Sequence, residues 1–595
     1  MWLIIFLFFF FFCPKIYAAD EFSVSQKIQY QIDINGNASV IQDVELKNNF
    51  SQIYPKEYQI TLSSGNITNI TGNDNSGNII KQISQPNDTT VINLVFNQPN
   101  LGKDQITKFR LNYNIPSLSE HKGSTWEIAL PENQIPENQS QTEITINLPS
   151  SFGSLSFSSV TPKNLISLNN ETQLFFSSNQ KNPKILLIFG DYQLFDFKFK
   201  YLLENSENKN QTVQIAIPPE TDSQKITYTS IDPTPNNITV DPDGNYLAEY
   251  QLQPQQNFEV NISGQAKIIH SNSNHAEITH NYYLKKDTYW ETDNSQLIQI
   301  AQNLKTPKDI YDYVIKTLTY KTENIDTSLR QGAALALQNP TQAICTEFTD
   351  LFVTLSRIKG IPAREVQGFA YSNNIKIKPV NTNTDVLHAW PQYYDTTKQA
   401  WISIDPTWGK TTNGIDYFTD LDPNHFAFVF HGLNSQTPFP PGGYKNNQNI
   451  KTVSVEFAKT EITPDNLPLQ IKPVSSGFFH IPQLKITNPN LHSISNLQIS
   501  VDGLNFQKAI NQLPPLSTTQ ISLPQPPFLK SFLPQNYRLK INLNYNNSTT
   551  THLTVTNSSY WLNLSIIIAV VLTFIGFGGI INNHQKNKKW KKSFV

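Results

Sequence analysis

Along most of the chain apolar and polar residues alternate in short runs, such as Ser39–Leu46 and Val91–Phe96, broken by Asn-Gly, Pro-Asn and Ser-Gly dipeptides. A period of two marks half-buried strands, and the dipeptides mark the turns between them. Residues 20–191 therefore predict an antiparallel β-sandwich. A second β module is expected over residues 194–280, with a strand at Val213–Pro218 and a turn at Asp241–Asn245. That Asp-rich turn lacks the ligand spacing and the closing Glu of a calcium loop, which leaves an ordinary hairpin. A third β-patterned stretch covers residues 452–557, with Pro-rich loop signals inside it.

Between the second and third stretches the period changes. Ile298–Ala301, Pro307–Leu318 and Gly332–Leu337 carry helical spacing, and Phe348, Leu351, Phe352, Leu355 and Ile358 recur at intervals of three and four. That last set predicts a helix with one buried face, stopped by Gly360-Ile361-Pro362. Val386–Tyr394 and Ala400–Ile404 then read as an antiparallel hairpin turning at Asp395–Gln399.

The two ends differ from everything between them. Residues 1–19 have the apolar run and small-residue finish of a secretory leader, with an apolar stretch too short to cross a bilayer. Leu562–Ile581 is 20 residues without a charge, long enough to span, with Trp561 at one interface. Lys586, Lys588, Lys589, Lys591 and Lys592 follow, and the positive-inside rule places such a tail, residues 582–595, in the cytoplasm. The expected topology is a single-pass type I protein of the plasma membrane, with residues 20–557 outside.

Composition narrows the function. A chain of 595 residues should hold several domains. A charged content of 15% and a net charge of −2 give no support for a nucleic-acid partner. Of two cysteines, Cys13 lies in the leader, so the mature protein keeps Cys345 and has no intrachain disulfide. Cys345 also has no short-spaced companions of the kind zinc requires, so no metal and no cofactor are expected.

Cys345 falls in or just before the first turn of the predicted helix, where the partial positive charge of the helix end favours a thiolate. His388 opens one hairpin strand and Asp405 closes the next, equally far from a turn centred near 396–397. Cross-strand neighbours of this kind stand roughly 5 Å apart at Cβ. A carboxylate beside a histidine fixes its tautomer and steadies the imidazolium that forms when the ring takes a thiol proton. Asp385 and Asp395 are rival acids, but neither faces the ring as Asp405 would. Trp390 and Trp401 read as sheet packing.

Four motifs sit in this region in a fixed order: Cys345-Thr346-Glu347-Phe348, Arg357-Ile358-Lys359-Gly360-Ile361-Pro362-Ala363-Arg364, His388-Ala389-Trp390, and Trp401-Ile402-Ser403-Ile404-Asp405-Pro406-Thr407. Over residues 287–432 the chain resembles the transglutaminase-like cysteine hydrolase superfamily, and most of all its bacterial, membrane-anchored members. The resemblance implies an α+β, papain-like transglutaminase core, preceded by two β-sandwich-like modules and followed by an Ig-like β module and one transmembrane helix. It implies Cys345, His388 and Asp405 as the catalytic triad, and a protein or peptide substrate, such as a cell-envelope component. It implies acyl transfer through a Cys345 thioester, completed by water or by an amine, and water is the expected acceptor because no amine site is legible. One departure is Ala343, where many members carry glycine two residues before the cysteine. The alternative is a catalytically silent envelope scaffold or adhesin on the same fold.

Overall fold

The computed structural model describes residues 21–132, 140–178, 184–270, 273–275, 278, 280–322, 329–372, 378–380, 385–445, 450–476, 481–502, 506–523, 536–545, 548–557, 565, 568–577, 580 and 584. The expected leader (1–19), with Cys13, lies outside them. So does much of the expected span 562–581 and nearly all of the 582–595 tail. Within the span, helix is described over residues 568–577. Among the described residues no helix is long and apolar enough to cross a membrane.

The chain divides into two compact units. The first holds the residues up to Gln193, a short stretch ending at Pro379, and Ser403–Pro423. It is built on an eight-stranded sheet. Ala38–Asn48 shows why: every second residue is buried from end to end. Phe22–Ile32 pairs antiparallel with Ala38–Asn48 but parallel with Ser140–Pro149, so the sheet is mixed rather than wholly antiparallel. Smaller sheets of three and four strands close over it on one apolar core that includes Leu46, Ile92, Leu111, Ile146 and Leu187. Ser403–Pro423 joins this unit through the Tyr417 ring on Phe157, centroids 5.5 Å apart, and through the Lys184 ammonium donating to the Thr412 carbonyl at 3.2 Å.

The second unit opens with a β module and carries the helical region. Asn237–Val240 (β1) and Tyr246–Leu252 (β2) form the hairpin around the Asp-rich turn. The Asp241 carboxylate accepts the N–H groups of Asp243 and Asn245, which closes that turn. Ser273–His275 (β3) follows, then Ser295–Gln302 (α1), Pro307–Thr317 (α2), Gly332–Gln338 (α3) and Cys345–Ile358 (α4). After these come Ala363–Ala370 (β4), His388–Asp395 (β5), Ala400–Ser403 (β6) and His425–His431 (β7), while the intervening Pro406–Thr411 (α5) belongs to the first unit. The five strands β3 to β7 form one sheet in the order β3-β6-β5-β4-β7.

The helix α4 is the hub. It packs on β5, on β4 and on the three preceding helices. Phe348, Leu351, Phe352 and Leu355 are fully buried, as the spacing predicts, and each contributes about 1.5–3 kcal/mol by leaving water. Its end is a Schellman motif: Gly360 has φ +77° and donates to Arg357 O at 3.0 Å, and Ile361 N donates to Ser356 O at 2.9 Å.

The β module and the five-stranded sheet share a core. Phe195, Phe197, Phe199 and Tyr201 of the module cluster with Phe369, Phe426 and Phe428 of the sheet. Beyond the sheet, Val453–Phe457 returns to the module and pairs antiparallel with Phe195–Phe199. The C-terminal β region has one three-stranded and one four-stranded sheet around Leu484, Ile486, Leu497, Ile499, Ile541 and Leu543.

Candidate active site

Cys345 is the first residue of α4, a free and half-buried thiol. An N–H in the first turn has no partner within its own helix, so that of Cys345 points out of the helix end. The preceding Ile344 is the N-cap and has no side-chain acceptor, and the carboxylate of Glu347 reaches back to its N–H at 2.9 Å. Ala343 adopts an ordinary extended conformation (φ −79°, ψ 136°) and is fully buried, so the departure from glycine carries no backbone strain. Lys321 N donates to its carbonyl at 2.8 Å.

His388 is the first residue of β5 and is buried. It faces Gly368 of β4, where a Cβ would stand 2.1 Å from the Phe426 carbonyl oxygen of β7. Only glycine lets β7 approach this closely, and the approach brings a second imidazole alongside. The His425 ring lies 5.9 Å from that of His388 and packs edge-on to Trp390 at 5.0 Å. These two buried imidazoles are a neighbouring pair of nitrogen donors of the kind a metal ion takes.

Asp405 is not a ladder residue. β6 ends at Ser403, and Asp405 becomes the N-cap of α5, its carboxylate accepting Trp408 N–H at 3.0 Å. The physical reason is Pro406 at the first helical position, which stops a strand and starts a helix. Asp405 is fully buried and belongs to the first unit, whereas Cys345 and His388 belong to the second, on α4 and β5, which pack on each other.

The rival acids have other work. The Asp385 carboxylate accepts Thr452 N–H, Val453 N–H and the Thr452 hydroxyl at 2.7–2.8 Å and pairs with Lys445 at 2.6 Å. Asp395 closes the hairpin turn by accepting Thr397 and Lys398 N–H. Trp401 is packing, as expected: Arg364 lies over its ring at 4.3 Å and over Phe430 at 4.2 Å.

Behind the thiol the structure places a charged network with no trace in the sequence pattern. Arg330 forks onto Asp350 of α4 at 2.9 and 2.5 Å and reaches Glu365 of β4 at 3.0 Å. His431 Nδ1 meets Glu365 at 2.8 Å, and Trp290 Nε1 donates to Asp350 at 3.0 Å. Burial pushes the Glu365 carboxyl up, but Arg330 and His431 outweigh it and leave it below the ordinary range. At the far end of α4, Arg357 donates to the carbonyls of Ala363, Lys285 and Gly432 and lies 4.0 Å over Trp290. Burial lowers that guanidinium to about 9. The turn between β1 and β2 docks here too. Asp243 accepts the N–H groups of Gly432 and Leu433, and its carbonyl takes Arg364. Glu347, His425, Arg330, Asp350, Glu365 and His431 all escape a reading by periodicity, because none repeats at a helical or strand interval.

Residues 295–406 match the model of the transglutaminase-like superfamily. No curated protein matches the chain. Among solved structures, the chain is similar to a proposed cysteine protease from Cytophaga hutchinsonii at 15% identity, over 45% of this chain and 98% of that one, with a TM-score of 0.29. It is also similar to an M1 zinc metallopeptidase from Deinococcus radiodurans at 12% identity, over 31% of this chain and 44% of that one, with a TM-score of 0.21. The chain thus spans less than half the length of that metallopeptidase.

Proposed function

On the premise that residues 295–406 form a transglutaminase-like domain, we propose that the protein is a membrane-anchored, extracytoplasmic cysteine enzyme acting on amide acyl groups of a protein or peptide. The observation that carries this reading is the setting of Cys345: a free, half-buried thiol opening a helix that packs on the strand begun by His388.

His388 takes the thiol proton, and Sγ attacks the carbonyl carbon. The C=O electron pair moves onto oxygen, where the N–H of Cys345 is one donor. Collapse expels the amine, which takes its proton from His388, and leaves a thioester. Water adds to the thioester with His388 again as base, and the acid is released. Hydrolysis is favoured over crosslinking because water is always present. Asp405 is assigned the role of orienting the imidazole, as the resemblance implies. The anchor is Leu562–Ile581, with residues 582–595 in the cytoplasm and the leader at residues 1–19, which makes the protein type I in the plasma membrane. A cell-envelope component is the natural substrate for that topology. The small net charge of −2 argues against nucleic acid as a partner.

The test is alkylation of Cys345 by iodoacetamide at pH 6, in residues 20–557 and in His388→Ala. Free cysteine is almost wholly thiol at that pH. Wild type should react at least tenfold faster than free cysteine, and the variant should not. Equal, slow labelling of both would favour a catalytically silent scaffold or adhesin instead.

A further inference from the structure

Glu347 stands two residues beyond the thiol and is 1% exposed. A carboxylate is tolerated at such depth only where hydrogen bonds replace its water. Here three donors do so. Oε1 accepts Gln331 N–H at 2.9 Å, and Oε2 accepts Ile344 N–H at 2.9 Å and the Thr346 hydroxyl at 3.2 Å. The pattern is half of a capping box. The N-cap side chain contributes nothing, and the return bond from the third helical residue to the N-cap N–H is kept.

That bond has a mechanical effect on the next peptide. Ile344 is gripped at its N–H by Glu347, and its carbonyl accepts Glu347 N at 3.1 Å and Phe348 N at 3.3 Å. The carbonyl of Ile344 and the N–H of Cys345 belong to one rigid plane. Fixing Ile344 at both ends therefore fixes the direction of the Cys345 N–H. The Gln331 contact ties the same carboxylate to the residue that precedes α3, so the clasp is anchored outside α4.

We propose that Glu347 is a positioning residue that sets the Ile344–Cys345 peptide so that the Cys345 N–H meets the oxyanion of the tetrahedral intermediate. The proposal rests on the acyl-transfer reading above. It separates two reactions of the same sulfur. Alkylation by iodoacetamide forms a C–S bond, expels iodide and develops no oxyanion. Acylation by p-nitrophenyl acetate forms a C–S bond, moves the carbonyl electron pair onto oxygen, and then expels p-nitrophenolate. Only the second uses the N–H.

The experiment compares both rates in the full chain carrying Cys13→Ser, purified in detergent, with Cys345→Ala as background. Glu347→Gln keeps the shape, but its amide oxygen can accept only one of the two backbone N–H groups, and its NH2 opposes the other. The acylation rate should fall about tenfold while alkylation stays within about twofold. A complete loss of an oxyanion donor would cost about a hundredfold to a thousandfold. Glu347→Asp keeps the charge but is too short to bridge Gln331 and Ile344, and it should show the same split. It also serves if the glutamine variant does not fold. If wild type is acylated but the ratio of the two rates in both variants stays within twofold of wild type, Glu347 has no such role. If wild type is acylated no faster than the Cys345→Ala background, the acyl-transfer reading itself fails and takes this inference with it.

Discussion

Replacing Arg330 by methionine should loosen the core around α4 far more than its near-surface location suggests. The side chain is 13% exposed, but the carboxylates it serves, Asp350 and Glu365, are fully buried. Methionine keeps most of the stem and its contact with Tyr289, over whose ring the guanidinium lies at 4.4 Å. What it removes is the fork onto Asp350, the bond to Glu365 and the donation to Ser435 O at 2.9 Å. Asp350 then loses its guanidinium, and Glu365 keeps His431 beside it. Breaking a buried pair by removing one partner costs about 3–5 kcal/mol. An exposed pair such as Lys27–Glu143, with side chains 68% and 49% exposed, is worth about 0–1 kcal/mol. Because the protein has several domains, a single melting temperature would mix their transitions. Hydrogen exchange of the α4 amides from Leu351 to Leu355 reads the opening of this core alone. Exchange should quicken by roughly two to three and a half powers of ten at neutral pH, since each decade is about 1.4 kcal/mol. Burial already pushes the Asp350 carboxyl upward with Arg330 present. Without Arg330 the Asp350 carboxyl favours its neutral form further, so acidification to pH 5 should restore protection to the variant, as should adding Asp350→Asn. A loss below about 1 kcal/mol, or one insensitive to pH, would refute the argument that uncompensated charge is the cause.

Three further perturbations follow from the same core. Gly368→Ala puts a Cβ 2.1 Å from the Phe426 carbonyl, which must part β4 from β7. The cost should be about 1–3 kcal/mol, seen as faster exchange of β7 amides and a changed environment for His388. The folded Glu365 carboxyl lies below its ordinary value, so its stabilisation is present above the unfolded value of about 4.3 and is lost as pH falls through the folded one. Denaturation followed between pH 5 and pH 2 should therefore steepen in wild type relative to Glu365→Gln. Asp385→Ala leaves two buried backbone N–H groups at Thr452 and Val453 without their carboxylate. It should cost about 2–4 kcal/mol and raise protease sensitivity near Lys445.

The sequence announces the parts of this protein that repeat and conceals those that do not. α4 was legible because its buried residues recur every three or four positions and Gly360 ends them. The β-hairpin was legible from alternation, but alternation cannot say where a strand stops. Asp405 followed by Pro406 carried the signal of an N-cap and a first helical proline, and that local chemistry prevails over the strand that runs into it. The apolar faces of Phe195–Phe199 and of Phe426–Phe428 were each predictable as buried. That they bury each other was not, since periodicity identifies a face but not its cover. Arg330, Asp350, Glu365 and His431 are spread over a hundred residues, and only the folded sheet gathers them.

The return of Val453–Phe457 to the strand at Tyr192–Asn205 has a consequence for biogenesis. During synthesis the β module emerges first, yet its sheet has a bare margin along Phe195–Phe199 until Phe457 arrives. Every helix of the transglutaminase-like region is made in the interval. A ribosome that halts after β7 leaves that margin as an open template for pairing with another chain. The β module is thus finished only after the transglutaminase-like region between its strands has been made.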